Sequence, residues 1–305
     1  KTVTDNTATS TTVTFSEGPH TWYVVAVDRA GNKRQSASTF NLTIDLTAPG
    51  APTLVSPQDG ENDNVASQTL QWNSTTDTGT GVDNYRVYVD GSKVAEVDNT
   101  VTSYDYSFSE GSYTWYVSAV DYAGNETASA SRTITIDLTA PNAFDLVSPQ
   151  DHENENQTTI TLQWQNNGDT GAGIDNFLIY VDDSLNTTIT DNTATSANIT
   201  FTEGPHTWYV IAVDRAGNKT QSTSTFNLTI DLTAPNTFDL VAPADYENEN
   251  QATVTLQWQN NGDSVTGIDN FVVYVDGAEN KTVTDNTATS TTVTFSEGPH
   301  TWYVV

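Results

Sequence analysis

The phrase TWYVVAVDRAGN at Thr21 returns as TWYVSAVDYAGN at Thr114 and as TWYVIAVDRAGN at Thr207, and its opening returns once more at Thr301. The tryptophans at 22, 115, 208 and 302 are therefore 93, 93 and 94 residues apart. A second marker, IDLTAP, places prolines at 49, 141 and 235. Residues 1–25 reappear letter for letter as 281–305, so three periods form one super-repeat of 280 residues. Self-similarity at this spacing dictates one structural unit repeated in series rather than a single large core. It divides the chain into the late part of a unit (1–48), full units at 49–140 and 141–234, and a unit at 235–305 that lacks its last hairpin. The whole reads as a window cut from a longer array. Neither end piece is expected to fold alone, because half a core leaves its apolar face in water.

Inside one period the texture is all-β. Runs of Thr, Val, Ile and aromatics, about 5 to 10 residues long, lie between Pro, Gly, Asn and Asp clusters, and no stretch sustains an apolar period of 3.6. In 141–234 the predicted strands are A at 144–148, B at 158–163 followed by Trp164, C at 177–181, E at 197–201, F at 206–213 and G at 222–230, with one more short strand between Asp182 and Ser196. Seven strands per unit make a β-sandwich. SPQDHENEN is read as the loop joining A to B, QNNGDTGAGIDN as B to C, TEGP as E to F and DRAGNK as F to G.

Leu70-Gln71-Trp72, Asp83-Asn84-Tyr85-Arg86-Val87, Phe108-Ser109-Glu110-Gly111 and Trp115 to Val120 follow one order. It comprises a B-strand Trp, a C-strand Tyr, a Gly turn and an alternating F strand. In this the chain resembles fibronectin type III domains, and its AVDxAGN…IDLTAP ending resembles the Ig-like repeats of bacterial and archaeal surface adhesins. The resemblance runs through every period. It implies tandem seven-stranded sandwiches, fibronectin type III or Ig-like, strung end to end in an extracellular or cell-surface setting, and it implies no ligand. Two departures stand out: Trp115 occupies the place where fibronectin domains usually carry a corner Tyr, and there is no RGD tripeptide.

The chain carries 39 Asp and Glu against 10 Lys and Arg, a formal net charge of −29. Such a surface repels nucleic acid and anionic lipid and attracts cations. Without cysteine there is no disulfide or thiol chemistry, and no apolar run is long enough to insert in a membrane. The histidines at 20, 206 and 300 share one GPHTW turn and His152 sits in a loop, so they form no metal or nucleophile constellation. With no phosphate-binding glycine loop either, the sequence points away from an enzyme. Asn-x-Ser/Thr sequons at Asn41, Asn73, Asn125, Asn156, Asn186, Asn198, Asn218, Asn227 and Asn280 are close to what an Asn- and Thr-rich composition gives by chance and only permit glycosylation.

The recurrent acidic loops point to a cation. D-x-G-x-G-x-D-N at 77–84 recurs at 169–176 and more loosely at 263–270, and VDxAGN recurs at Asp28, Asp121 and Asp214. In a sandwich of this topology the B–C and F–G loops lie at the pole where the preceding IDLTAP segment arrives. Asp45 is thus expected near Asp77, Asp83, Asp121 and Asn125, and Asp137 near Asp169, Asp175, Asp214 and Asn218, with Asp231 in the same place one unit on. Hard oxygen ligands converging in this way suit Ca²⁺; turn capping by Asp and Asn explains the same residues without an ion.

Alternation on strands C and F sends Phe177, Ile179, Val181, Trp208, Val210 and Ala212 to the core with Trp164. It leaves Leu178, Tyr180, Tyr209, Ile211 and Val213 on an outer face that is unusually apolar, where 49–140 carries Arg86, Tyr88, Tyr116 and Ser118. That face is expected to contact another copy of the chain. The sequence therefore reads as a non-catalytic structural segment of an extracellular filament or giant adhesin stalk. The alternatives are a module binding a glycan or cell-surface ligand, and the spacer of a secreted polysaccharide-degrading enzyme. Near-identical loops from unit to unit favour a structural role.

Overall fold

A computed structural model describes residues 1–305. It is all-β, with 28 strands and no helix. In 49–140, strands A (Thr53–Ser56), B (Ser67–Asn73) and E (Ser103–Ser107) form one sheet in the order A-B-E. The facing sheet runs G (Arg132–Ile136), F (Gly111–Asp121), C (Val82–Val89) and C′ (Ser92–Asp98). The three-residue strand Glu61–Asp63 adds parallel to G, and Glu126–Ala128 lies antiparallel on the far half of F. Strands B, C and E show the period of 2 that a half-buried sheet requires, whereas the far half of F is buried on both faces. Leu70 and Trp72 of B, Tyr85, Val87 and Val89 of C, Trp115, Val117 and Ala119 of F, and Ile134 and Ile136 of G close into one core.

The strand order is the same in 141–234. One sheet holds A (Leu146–Ser148), B (Thr159–Trp164) and E (Ser196–Thr200). The other holds Glu153–Glu155, G (Phe226–Ile230), F (Gly204–Asp214), C (Ile174–Val181) and C′ (Ser184–Ile189), with Lys219–Gln221 on F. In 235–305, Leu240–Ala242, Thr253–Trp258 and Ser290–Thr294 face Phe271–Val275, flanked by Ala278–Val283 and Trp302–Val304. Residues 1–48 supply two hairpin-like pairs, Gly18–Trp22 with Phe40–Ile44 and Val25–Val27 with Lys33–Gln35. With no B, C or E strand to cover them, Trp22 and Phe40 are exposed, whereas the equivalent Trp115 is fully buried.

The predicted core of 141–234 is buried at Trp164, Phe177, Ile179, Trp208, Val210 and Ala212, while Val181 is only half-buried, and Val213 and Ser118, expected on the outer face, are buried. Three sequence readings need correction. Strand A begins at Leu146, not at 144; Phe144 is nevertheless buried, packing edge-on to Phe177 at 6.4 Å outside the ladder. The A–B loop contains a strand, because Glu153–Glu155 finds the free edge of G in register with Leu228–Ile230. The predicted strand at 222–230 is a strand only over Phe226–Ile230, and a separate short strand, Lys219–Gln221, lies ahead of it. Lys219–Gln221 stays on the far half of F, Thr223 donates its N–H to Phe144 O (3.0 Å), and pairing resumes only at Phe226.

Contact density divides the chain into two compact units. The first is Lys1–Asn142 with Gly168–Ile174 and Val213–Lys219; the second is Ala143–Asn167, Asp175–Ala212 and Thr220–Val305. Both acidic clusters described next lie wholly inside the first unit.

Candidate metal centre

Aspartate at the start of a loop folds its carboxylate back onto the following backbone N–H groups, and each loop here starts with one. Asp121 ends strand F, and its Oδ1 accepts from Ala123 N and Asn125 N at 2.8 Å each, closing the AGN turn. Asp77 opens the B–C loop and its Oδ2 accepts from Gly79 N and Gly81 N, again at 2.8 Å. Asp45, just past the strand Phe40–Ile44, accepts at Oδ2 from Thr80 N (2.6 Å) and Thr80 Oγ1 (2.7 Å) and at Oδ1 from Thr47 N (3.1 Å). The Thr80 hydroxyl, with the backbone donors of Thr80 and Thr47, holds the Asp45 carboxyl below its ordinary pKa.

These three turns converge, and Asp45, Asp77 and Asp121 each offer an oxygen within 4.8 Å of the others. Asp45 and Asp121 are buried. Gly79 permits the approach: a Cβ there would lie 2.2–2.4 Å from the Asp45 carboxylate. Asn125 ties the parts together through its Nδ2, which donates to Asp121 Oδ2 (2.8 Å), Asp45 O (3.1 Å) and Thr47 O (3.4 Å).

The second cluster repeats the first. Asp137, fully buried, accepts from Ala172 N (2.6 Å) and Thr139 N (3.1 Å). Asp169 Oδ2 accepts from Gly171 N and Gly173 N. Asp214, also buried, accepts from Asn218 N and Nδ2, while that Nδ2 reaches Asp137 O (2.9 Å) and Thr139 O (3.2 Å). Oxygens of Asp137, Asp169 and Asp214 lie within 4.8 Å of one another, and Gly171 is the counterpart of Gly79. The neighbouring cation, Arg215, turns its guanidinium to Ala172 O at 3.2 Å.

Of the residues that sequence reasoning placed at these poles, Asp45, Asp77, Asp121, Asp137, Asp169 and Asp214 come together. Asn125 and Asn218 act as donors that cross-link the carboxylates to backbone. Asp83 and Asp175 stand outside both groups, each accepting from the amide of the next residue, Asn84 (2.9 Å) and Asn176 (2.6 Å). Asp231 meets the third loop through Thr266 N and Oγ1, beside Asp263, without a third carboxylate; the Thr266 hydroxyl is the main cause that lowers its pKa. Gly79, Gly171 and Thr80 were missed as site residues, although D-x-G-x-G had put the glycines in view.

On the outer face, Leu178, Tyr180, Tyr209 and Ile211 are half-buried. Tyr180 and Tyr209 stack at 4.9 Å and 5°, as do Tyr88 with Tyr116 and Tyr274 with Tyr303. Around the first of those other pairs, Arg86 bridges Glu96 (3.2 Å) and Glu126 (2.7 Å).

No family model matches the chain. Among characterised proteins it is similar to chitinase A1 of Niallia circulans, 32% identical over 180 residues, covering 57% of this chain and 25% of that enzyme. It is also similar to exoglucanase B of Cellulomonas fimi, 26% identical over 248 residues, covering 75% of this chain and 22% of that enzyme. The chain thus spans about a quarter of the length of each. Among solved structures, the fibronectin(III)-like modules of Clostridium thermocellum CbhA align at 16% identity and a TM-score of 0.43, covering 59% of this chain and 93% of theirs. The FN1–FN3 domains of chicken CNTN1 align at 12% and 0.31, covering 84% and 91%. The strand order A-B-E against G-F-C-C′ makes the chain a tandem array of fibronectin type III-like sandwiches.

Proposed function

We propose that this chain is a non-catalytic spacer of an extracellular protein, an array of sandwiches that holds a polysaccharide-degrading domain at a distance from its neighbours. The observation that carries the reading is the extent of the two enzyme matches: they cover most of this chain yet only about a quarter of each enzyme. A segment of that kind is a module beside the catalytic domain. The histidines tie turns together: His206 Nδ1 meets Asp182 (2.8 Å) and its Nε2 meets Thr202 O (2.9 Å) and Oγ1 (3.3 Å), while His300 Nδ1 meets Asp276 (2.7 Å) and its Nε2 meets Ser296 O (3.1 Å) and Oγ (3.2 Å), so each Nε2 faces a backbone carbonyl as well as the hydroxyl. A second reading, the stalk of a surface adhesin or filament, is favoured by the letter-for-letter return after 280 residues, which an array of many copies produces. On this second reading the half-buried aromatic face of strands C and F is where copies meet.

The test is to incubate residues 1–305 with insoluble chitin and cellulose, following released sugar and depletion of protein from solution, and to measure self-association by sedimentation. A spacer releases no sugar, stays in solution and stays monomeric. Retention on the polymer makes it a binding module, sugar release makes it an enzyme, and assembly at micromolar concentration favours the filament.

A further inference from the structure

We infer that Asp45, Asp77 and Asp121 form one Ca²⁺ site, and Asp137, Asp169 and Asp214 a second. The inference goes beyond the spacer reading and stands whichever protein the array serves. Acidic clusters are common on proteins of this charge, and the AGN turn needs no ion. In residues 1–48 Asp28 makes the same turn, accepting from Ala30 N, Asn32 N and Asn32 Nδ2, exposed and outside either cluster of three carboxylates.

What sets the two clusters apart is a carboxylate oxygen that nothing satisfies. Asp77 Oδ1 and Asp169 Oδ1 are shielded from solvent and accept no hydrogen bond, although the other oxygen of each residue accepts two. The omission is the same in both loops, DTGTG and DTGAG, although the hydroxyl of Thr80 is replaced by Ala172 in the second. A carboxylate oxygen withdrawn from water without a donor is strongly disfavoured, and two more carboxylates within 4.8 Å, one of them at most 2% exposed in each cluster, add repulsion of like charge. No ion pair with Lys or Arg offsets it, since Arg215 donates to a backbone carbonyl. A divalent cation in each cluster satisfies the orphaned oxygen and reverses the sign of the local field.

The donor set selects the ion. It is oxygen throughout, with no sulfur or imidazole, which excludes a preference for zinc or copper. It comes from three separated backbone segments whose carboxylates are already engaged by protein donors, Asp77 and Asp169 at one oxygen and the other four at both, an irregular shell that Ca²⁺ accepts with carbonyls and water completing six to eight ligands and that the strict octahedron of Mg²⁺ does not.

The test uses the full 305-residue chain, stripped with chelator and titrated with Ca²⁺ in a calorimeter. Saturable uptake of two ions is expected. In Asp77→Asn the side-chain carbonyl keeps the bonds from Gly79 and Gly81 while the amide turns a donor toward the cluster, so the stoichiometry falls to one. Asp169→Asn does the same at the second site, and the double variant takes up none. Asp28→Asn leaves the count at two. Near-ultraviolet circular dichroism reports whether each variant keeps its core. The inference is overturned if the unaltered chain shows no saturable uptake, if the double variant binds as the unaltered chain does, or if Mg²⁺ competes at equal concentration.

Discussion

Trp164 is expected to tolerate replacement by Phe far better than its burial suggests. The side chain is 1% exposed and packs on Phe177 at 5.5 Å and 53°. Its Nε1 is also buried without a hydrogen-bond partner, as are those of Trp72, Trp115, Trp208 and Trp258. Trp164→Phe removes about 50 Å² of buried ring surface, costing about 1.3 kcal/mol. Incomplete collapse around the vacated volume adds about 1 kcal/mol. Against this, deleting the pyrrole N–H removes an unsatisfied buried donor whose desolvation costs about 1–3 kcal/mol. The net change lies within about 1 kcal/mol of zero, whereas Trp164→Ala costs about 3–5 kcal/mol. Because several sandwiches in one chain do not melt as a two-state system, the readout is native-state hydrogen exchange of the amides in Thr159–Trp164, which reports the opening free energy of that sandwich. A loss of 3 kcal/mol or more in the Phe variant, equal to that of Ala, would refute the reasoning: the indole N–H would then be satisfied in the fold.

Other outcomes follow from the same geometry. Ca²⁺ at a hundredfold excess over Kd should raise the stability of the first unit by about 2.7 kcal/mol per site; Asp137→Asn should remove one such increment in a melt with and without chelator, and an identical melting temperature of the unaltered chain in both conditions would contradict it. His300 is raised above its usual 6.5, first by its hydrogen bond to Asp276 and then by Ser296 O, while Asp276 is lowered below 3.8, first by His300. The His contribution is therefore complete below pH 6.5 and lost as pH rises through the folded value, and the Asp contribution is present above 3.8 and lost in acid. The melting difference between the native chain and His300→Gln should be largest between those values; a difference that grows above pH 8 would contradict the pairing. Ile211→Lys should disperse any self-association seen by sedimentation while leaving circular dichroism unchanged, and unaltered association would clear the C–F face of a role. Gly79→Ala should push the Asp45 carboxylate off Thr80, seen as loss of one calorimetric Ca²⁺ site; a full complement of two would show that the loop yields freely.

Much of the architecture is legible in the sequence because it is local and periodic. Alternation in FLIYV and TWYVIAV alone places Phe177, Ile179, Trp208, Val210 and Ala212 inside. The parallel strand Glu153–Glu155 is not legible, since three polar residues carry no period and their conformation is imposed by the edge of a strand more than 70 residues on. The break at Ser222–Thr225 is hidden for a similar reason, a bond from Thr223 to Phe144 across the sandwich. At the acidic clusters the sequence names the loops, and the topology implied by the family resemblance brings Asp45 to Asp77 across 32 positions. Which carboxylates converge is a matter of short-range competition: Asp83 and Asp175 are taken up by the next amide along the chain, and only packing decides that.

The parallel pairing of Glu153–Glu155 with G has a mechanical consequence. Glu153 stands opposite Leu228, Asn154 opposite Thr229 and Glu155 opposite Ile230, with Asp231 N donating to Glu155 O at 2.9 Å just beyond. One of these strands lies near the entry of the chain into its sandwich and the other is the exit. Tension applied through the backbone at both ends therefore pulls the two parallel strands past each other, stressing their hydrogen bonds in shear, all together, instead of peeling them one at a time. A force-extension trace should show each complete sandwich yielding in a single abrupt step, and the same step should weaken in Glu155→Pro, which removes the N–H on the edge where the Glu155 carbonyl meets G.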